Sequence, residues 1–448
     1  MRGLYVHVPF CVSKCAYCDF YSLADRLDLI PAYVDAVLTE AQAHAGLSFE
    51  TLYLGGGTPS VLGVGNLRRL IEGLRRVLGL SALAEATIEV NPESASEDLL
   101  RTALDLGFGR VSVGVQSLSD RELRSAGRVH SASQAVEAVS RVVGMGFQDV
   151  SADVIVGLPG QTLGGASGEE HPSNSESRIP EIPDCGREVE NGASGAFAPT
   201  SPQGCAEGRS PLAEGLGVSP NIHSSIPQDW GPRGLKANPG TDSFGSLTRT
   251  LERLTELGVN HLSVYCLSLE QGTPLAADPP QDLPSDDVQA DLFGEARSVL
   301  EGRGFIHYEI SNFCLPGREC QHNLNYWRGG EYLGLGPAAA SHLGGRRWKN
   351  RADMLACLRD PFSMVEEVEE LGLEEKAAEE AILRLRLLAE GLAADEIVRR
   401  FGDAGTRELF ARLNGLVAEG LLTCDGARYR LARSRILTSN PVLAAVLN

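Results

Sequence analysis

The chain lacks the marks of an exported, membrane-spanning or nucleic-acid-binding protein. No apolar run in its 448 residues approaches the roughly 20 needed to cross a bilayer. The opening MRGLYVHVPF has no long apolar stretch of the kind a secretory signal carries. Basic residues are scarce: 40 Lys and Arg stand against 59 Asp and Glu, a net charge of −19. Sequence-independent binding to nucleic acid rests on basic patches, and a polybasic membrane anchor needs the same surplus. These absences point to a cytoplasmic protein with no nucleic-acid partner and no integral membrane segment. What is present is ordinary for a globular chain. Apolar residues make up 43% and mean hydropathy is −0.09, enough for a large core in two or three domains.

Ten cysteines do not amount to a disulfide framework. Three of them (Cys11, Cys15, Cys18) lie within eight residues and the rest are scattered as far as Cys424. Disulfide scaffolds belong to small secreted chains. A tight cluster in a large chain without an export signal points instead to metal binding or redox chemistry.

From residue 3 to about 162, short apolar or β-branched runs alternate with helical spacing. The expected strands are 4–8, 51–54, 86–90, 110–115 and 150–156, each bounded by Gly, Pro or Asn and followed by a period of 3.6. Repeated βα units predict an α/β fold with a parallel sheet and helices on its outer side. Chemistry in such folds sits on loops at the C-terminal ends of the strands, where the Gly-rich and polar motifs of this chain fall. Residues 163–240 break the pattern: Gly, Pro and Ser account for 33 of these 78 residues, too little apolar surface to offset the entropy of ordering. They read as a disordered insertion. The interrupted unit resumes with a helix at 242–258, capped by Asp242 or Ser243, with Leu247, Leu251, Leu254 and Leu257 on one face. A strand at 261–269, a helix at 285–304 and a closing strand at 305–311 follow. The expected whole is a partial (β/α)6 barrel over 1–162 and 241–361. From 362 to 448, three helices and a hairpin turning on Asp-Gly suggest a winged-helix-like domain, whose acidity favours a packing or protein-contact role.

Cys11-x3-Cys15-x2-Cys18 is the strongest chemical signal. Three thiolates on one short loop can hold three irons of a [4Fe–4S] cluster and leave the fourth open to a small ligand. The alternative is a structural zinc site, which wants a fourth ligand; His7 is near but sits on a predicted strand. Gly55-Gly56-Gly57-Thr58-Pro59 follows the second strand, where glycine permits close backbone approach to a ligand. Glu89, Gln116, Arg128 and Asp153 all lie at or just after strand ends. By itself Glu89 is equally a solvated strand-end carboxylate.

This spacing and its setting resemble the radical S-adenosylmethionine (SAM) enzymes. YVHVPFCVSKCAYCDF, YLGGGTPS, IEVNPE, VSVGVQSL, ADVIVGLPGQT and HNLNYW together look like the oxygen-independent coproporphyrinogen III oxidase family. The likeness covers nearly the whole chain except 163–240 and includes the C-terminal EEAILRLRLLAEGL and RYRL. The oxidase branch typically places a further cysteine two residues after the third. This sequence has Phe20 there, as does the HemW branch of haem chaperones, and His322-Asn323-x-x-Tyr326-Trp327 resembles that branch's HNxxYW motif. The resemblance implies a cluster on Cys11, Cys15 and Cys18. It implies SAM contacts at Tyr5, Tyr17, Gly56, Gly57, Thr58, Glu89, Gln116, Arg128 and Asp153. It further implies haem as a bound cofactor, acceptor haemoproteins as partners and an electron donor for the cluster. His322 is either a haem-iron ligand or a histidine held in a polar network by Asn323, and Cys320 is a second possible iron ligand. The family's other activity, oxidative decarboxylation of coproporphyrinogen III, is the alternative function.

Overall fold

A computed structural model describes residues 1–80, 83–162 and 245–447. The expected insertion at 163–240 and the proposed caps Asp242 and Ser243 lie outside the described residues. The expected α/β partial barrel is what the chain forms. Its strands are β1 (Arg2–Val8), β2 (Thr51–Gly56), β3 (Glu85–Val90), β4 (Arg110–Gln116), β5 (Asp149–Val156), β6 (His261–Cys266), β7 (Ile306–His307), β8 (Asn312–Cys314), β9 (Glu331–Leu335), β10 (Ala340–Leu343), β11 (Arg346–Asn350) and β12 (Val365–Glu369). They make one sheet in the order β12-β11-β10-β9-β1-β2-β3-β4-β5-β6-β8-β7. The seven from β9 to β6 are parallel. The flanking strands are antiparallel and the two edges do not pair, so the barrel stays open.

The strands are buried on both faces, which is why they read as apolar runs: Leu4, Val6 and Val8 on β1, Leu54 on β2 and Val111, Val113 and Val115 on β4 have no exposed surface. The covering helices are α1 (Ile30–Gln42), α2 (Gly63–Val77), α3 (Glu97–Asp105), α4 (Ala132–Gly144), α5 (Ser246–Glu256) and α6 (Asp286–Gly302). Helix α2 shows the rule, burying Leu67, Leu70, Ile71 and Leu74 at helical spacing. Side-chain caps start three of them: Ser96 for α3, Ser131 in a reciprocal box with Gln134 for α4, and Ser285 for α6.

Three expectations need correction. The closing strand at 305–311 is instead the hairpin β7–β8, with β8 antiparallel to β6; the Tyr308 N–H donates to the Asn312 carbonyl across its turn. Strands β9–β12 were not anticipated, because they are short and either Gly-rich (EYLGL) or charged (VEEVE). The proposed boundary at 361/362 therefore falls inside the sheet, since β12 pairs with β11.

The C-terminal elements are α8 (Leu373–Leu385), α9 (Ala394–Ala418) and α10 (Ser439–Leu447), with a small three-stranded sheet that includes Leu422–Cys424 and Arg428–Leu431; α7 is the short helix Gln321–Trp327. Helix α9 breaks at Gly402, whose φ of 73° interrupts the helix, giving the three helices and hairpin the sequence suggests. Their core joins Ala377, Ala381, Leu385, Ile397, Leu413 and Leu431. Among the described residues no helix is long and apolar enough to cross a membrane.

Candidate cofactor site

The loops at the C-terminal ends of the parallel strands surround one open cavity, with about 1520 Å³ of empty space including its mouth. Cys11, Cys15 and Cys18 line it together with Tyr17, Gly56, Gly57, Thr58, Glu89, Gln116, Arg128 and Asp153. Eleven residues singled out from sequence are thus gathered in one place.

The three cysteines are free thiols, and donors are aimed at two of the sulfurs. The Thr58 hydroxyl lies 3.5 Å from Cys11 Sγ, and Arg128 Nη1 lies 3.3 Å from Cys15 Sγ. Burial pushes the Cys18 thiol up to about 12, helped by the neighbouring Cys15. Sulfurs that need a positive partner to ionise, with donors already directed at them, suit a ligand set for an iron cluster. The zinc alternative loses its fourth ligand. His7 is buried, with Nδ1 3.0 Å from the Tyr5 hydroxyl and Nε2 2.9 Å from the Tyr21 carbonyl. Among the described residues no three His, Cys, Asp or Glu side chains converge on a single-ion position.

The Gly-rich turn shapes the opposite wall. Gly57 sits so close to the segment that follows β1 that a Cβ there would meet the Phe10 carbonyl oxygen at 2.7 Å, and a Cβ on Gly56, at φ 106°, would meet the His7 ring at 2.6 Å. The turn also presents the Gly56 N–H to Glu89 Oε2 at 3.2 Å, while the Tyr53 hydroxyl donates to Oε1 at 2.7 Å. Burial nevertheless raises the Glu89 carboxyl to about 7. Asp153 is likewise raised by burial, to about 6, against the hydrogen bonds of Ser263 and Ser112, the latter at 3.1 Å. Two buried carboxyls held partly protonated on the wall of one cavity suit a cationic ligand, which would favour their ionised forms.

Two residues overlooked in the sequence join these parts. Asn91 accepts from Arg128 Nη2 at 2.7 Å and donates to Thr58 Oγ1 at 3.0 Å, linking the guanidinium to the Gly-Thr turn. Arg128 also donates to the Gly114 carbonyl at 2.8 Å. Tyr53 anchors Glu89. The only sequence signal for Asn91 was its place directly after a strand. Gln116 closes the rim at φ 64°, an uncommon backbone conformation for a residue with a side chain.

Two expected residues do not reach the cavity. Tyr5 faces inward but one step deeper than His7, to which its hydroxyl is bonded. His322, on α7, lies at the opposite end of the barrel. It is 1% exposed, with Nδ1 2.8 Å from Thr51 Oγ1 and Nε2 2.8 Å from the Tyr326 hydroxyl. Burial lowers it to about 4, so the ring is neutral. Helix α7 closes the barrel floor: Glu85 accepts from the Gln321 and His322 amides at 3.1 and 3.0 Å and from Cys320 Sγ at 3.3 Å. Arg110, 3% exposed, pairs with Glu85 at 3.0 Å and Asp149 at 3.5 Å and donates to the carbonyls of Arg318 and Glu319. Cys320 and Asn323 are the parts of this plug that line the cavity from below.

Residues 5–165 match the radical SAM superfamily, so the chain carries a radical SAM domain. The heme chaperone HemW of Mycobacterium tuberculosis is 30% identical over 99% of this chain and 94% of its own. The chain belongs to the HemW family. The HemW of Escherichia coli is 31% identical over 75% of this chain and 69% of its own. Among solved structures, the E. coli coproporphyrinogen III oxidase HemN, described as a radical SAM enzyme, superposes with a TM-score of 0.72 over 99% of this chain and 89% of that one. At 21% identity that likeness speaks for the fold. The cysteine loop, the Gly-Thr turn and Glu89 of this HemW-family chain all fall inside the matched radical SAM region.

Proposed function

We propose that this chain is a haem chaperone of the radical SAM type, working in the cytoplasm: it holds a [4Fe–4S] cluster and SAM at the barrel mouth and delivers haem to acceptor haemoproteins. The observation that carries the proposal is its near full-length relatedness to proteins named heme chaperone. Phe20, where the oxidase branch places a fourth cysteine, supports the same reading.

Cys11, Cys15 and Cys18 would hold the cluster, which when bound supplies an open iron for the amino and carboxylate groups of SAM and a source of one electron. The chain's own residues do the positioning. Thr58 and Arg128 donate to two sulfurs and steady them as thiolates. Gly56 and Gly57 leave backbone room for the amino end of SAM. Glu89, fixed by Tyr53, offers its carboxylate to ribose hydroxyls, and Asp153 and Gln116 face the same space. Tyr17 forms a wall beside the cysteines, and Tyr5 acts one step removed by holding His7. An electron donor for the cluster and a haemoprotein acceptor follow as partners. The ring nitrogens of His322, paired with Thr51 and Tyr326 rather than Asn323, favour a positioning role at the barrel floor.

The test is one anaerobic assay on cluster-reconstituted protein, given SAM, a low-potential reductant, an electron acceptor and coproporphyrinogen III, with a parallel haem titration. Haem uptake without protoporphyrinogen is the expected result. Product beyond one equivalent would overturn the chaperone reading in favour of the oxidase, the activity named for the E. coli structure.

A further inference from the structure

One buried carboxylate near the barrel mouth takes no part in lining the cysteine cavity. Glu122 is 2% exposed on the short helix Asp120–Ser125, and three side chains donate to it. Ser117 Oγ lies 2.6 Å and Gln161 Nε2 3.3 Å from Oε2, and the Ser246 hydroxyl donates to Oε1. A carboxylate only accepts, and here both oxygens have donors. Each partner belongs to a different segment. Ser117 directly follows Gln116 at the end of β4. Gln161 belongs to the turn after β5, where it also accepts from the Gly157 amide at 2.6 Å and donates to the Ile155 carbonyl at 3.2 Å. Ser246 is the first residue of α5, so the carboxylate stands at the positive end of that helix, which favours it.

Two of these partners stand on either side of a long connection. Gln161 and Ser246 flank residues 163–244, which lie between the described segments. In a βα unit the strand and its helix are normally joined by a few residues, and a short join holds its own ends in place. The cost of holding two ends together grows with the length of the join. Here one carboxylate takes a donor from each end.

The helix that carries Glu122 also seats the cysteine loop. Just past its end the Ala126 carbonyl accepts from the Ala16 amide at 3.2 Å, and a Cβ on Gly127, at φ 71°, would lie 3.0 Å from the Ala16 nitrogen. The Arg128 amide then donates back to the Leu123 carbonyl at 2.9 Å, and its guanidinium reaches Cys15 Sγ. Glu122 adjoins Leu123, so a shift of this helix moves the anchor of Arg128 and the seat of Ala16 together.

We infer that Glu122 is a positioning residue: it pins both ends of the interrupted βα unit to the helix that seats the cysteine loop, and so fixes Arg128 and Cys15 for the cluster and SAM. The inference rests on the cluster-and-SAM reading above and is independent of haem.

The experiment measures SAM affinity by calorimetry on the full-length, cluster-reconstituted protein, with the electron paramagnetic resonance spectrum of the reduced cluster recorded with and without SAM. The variants are Glu122→Ala, Ser246→Ala, the two together, and Glu122→Ala in a chain whose residues 163–244 are replaced by a short Gly-Ser linker. Glu122→Ala is expected to keep its cluster iron but to bind SAM about tenfold more weakly, the scale of a lost outer-shell partner, with a smaller SAM-induced spectral change. Ser246→Ala alone is expected to weaken binding about threefold, the worth of one hydrogen bond, and to add nothing to Glu122→Ala. The linker ties the same two ends covalently, so it is expected to bring Glu122→Ala back to within about threefold of wild type. A carboxylate that merely supports the core would not be relieved by a linker placed elsewhere in the chain. Wild-type affinity in Glu122→Ala, additive losses in the double variant, or no recovery with the linker would each overturn the pin. Should Glu122→Ala lose its cluster, Glu122→Gln takes its place in every comparison; should the linker chain lose its cluster, the Ser246 comparison decides alone. No SAM binding by the wild type would instead overturn the reading beneath it.

Discussion

The two ends of the barrel are built from the same strands and do opposite things. At the C-terminal end the polar groups point into open space, and several are held in forms that a bound partner would change: thiols that need a metal to ionise, and two carboxyls near neutrality. At the N-terminal end the charged groups are already paired, although Arg110 Nη1 and Trp327 Nε1 are buried without a hydrogen-bond partner. Arg110, Glu85 and Asp149 neutralise one another, and α7 satisfies its first amides on Glu85. The mouth forgoes internal pairing and keeps its chemistry available; the floor pairs its polar groups and keeps its shape. A motif on the page can belong to either kind. CxxxCxxC belongs to the first and HNLNYW, in this structure, to the second.

Mutations should separate the ends. The largest effect is expected from Cys15→Ser, which removes a cluster ligand; iron content and visible absorbance should collapse while the apo fold persists by circular dichroism. At the floor, Arg110→Met leaves Glu85 buried without its cation, while Asp149 keeps Arg318 at 3.3 Å; it should cost about 3–5 kcal/mol in denaturant unfolding of the apo protein. His322→Ala strands the hydroxyls of Thr51 and Tyr326 and opens a cavity, costing about 2–4 kcal/mol. SAM affinity, measured by calorimetry at a temperature where the variant is folded, should barely change. Asn91→Ala is the mirror case: stability within about 1 kcal/mol of wild type but SAM binding about tenfold weaker, the scale typical of lost outer-shell partners. If His322→Ala loses SAM binding as severely as Asn91→Ala, the contrast between mouth and floor is wrong.

The smallest effect is a pH dependence. The Glu89 and Asp153 carboxyls are raised, to about 7 and about 6, so each is increasingly protonated below its value. A cationic sulfonium favours the ionised forms. SAM affinity should therefore rise severalfold from pH 5.5 to 7.5 and level off above it. Glu89→Gln should flatten the upper part of that rise. The same shifts make the empty protein less stable as pH rises through 6–7, because ionisation is disfavoured only in the folded state.

Much of the mouth was legible because its residues are local. The cysteines share one loop, the Gly-Thr turn follows one strand, and Glu89 ends another, so βα alternation alone brings them to one rim. What escaped depends on pairing across long distances. His322 meets a hydroxyl 271 residues away, and Asn91 meets its arginine 37 residues on. Alternation along β1 gives the inward direction of Tyr5 but not its depth, which is why it appeared among expected contacts and lies beneath them. Strands β9–β12 escaped for a different reason. Their sequences carry neither the apolar density of the buried strands nor a clean helical period, and their strand character comes from the neighbours they pair with.

The parallel pairing of β1 with β9 has a consequence for synthesis. Arg2 and its partner Glu331 are 329 residues apart. At roughly 5–20 residues per second, about 15–65 s pass between emergence of the two strands from the ribosome. Throughout that interval the loop bearing Cys11, Cys15 and Cys18 hangs from a strand with one flank unpaired. The cysteines thus leave the ribosome well before the strand that completes the pairing of β1. The interval leaves them open to an iron–sulfur donor, and equally to an oxidant, before the barrel can shelter them.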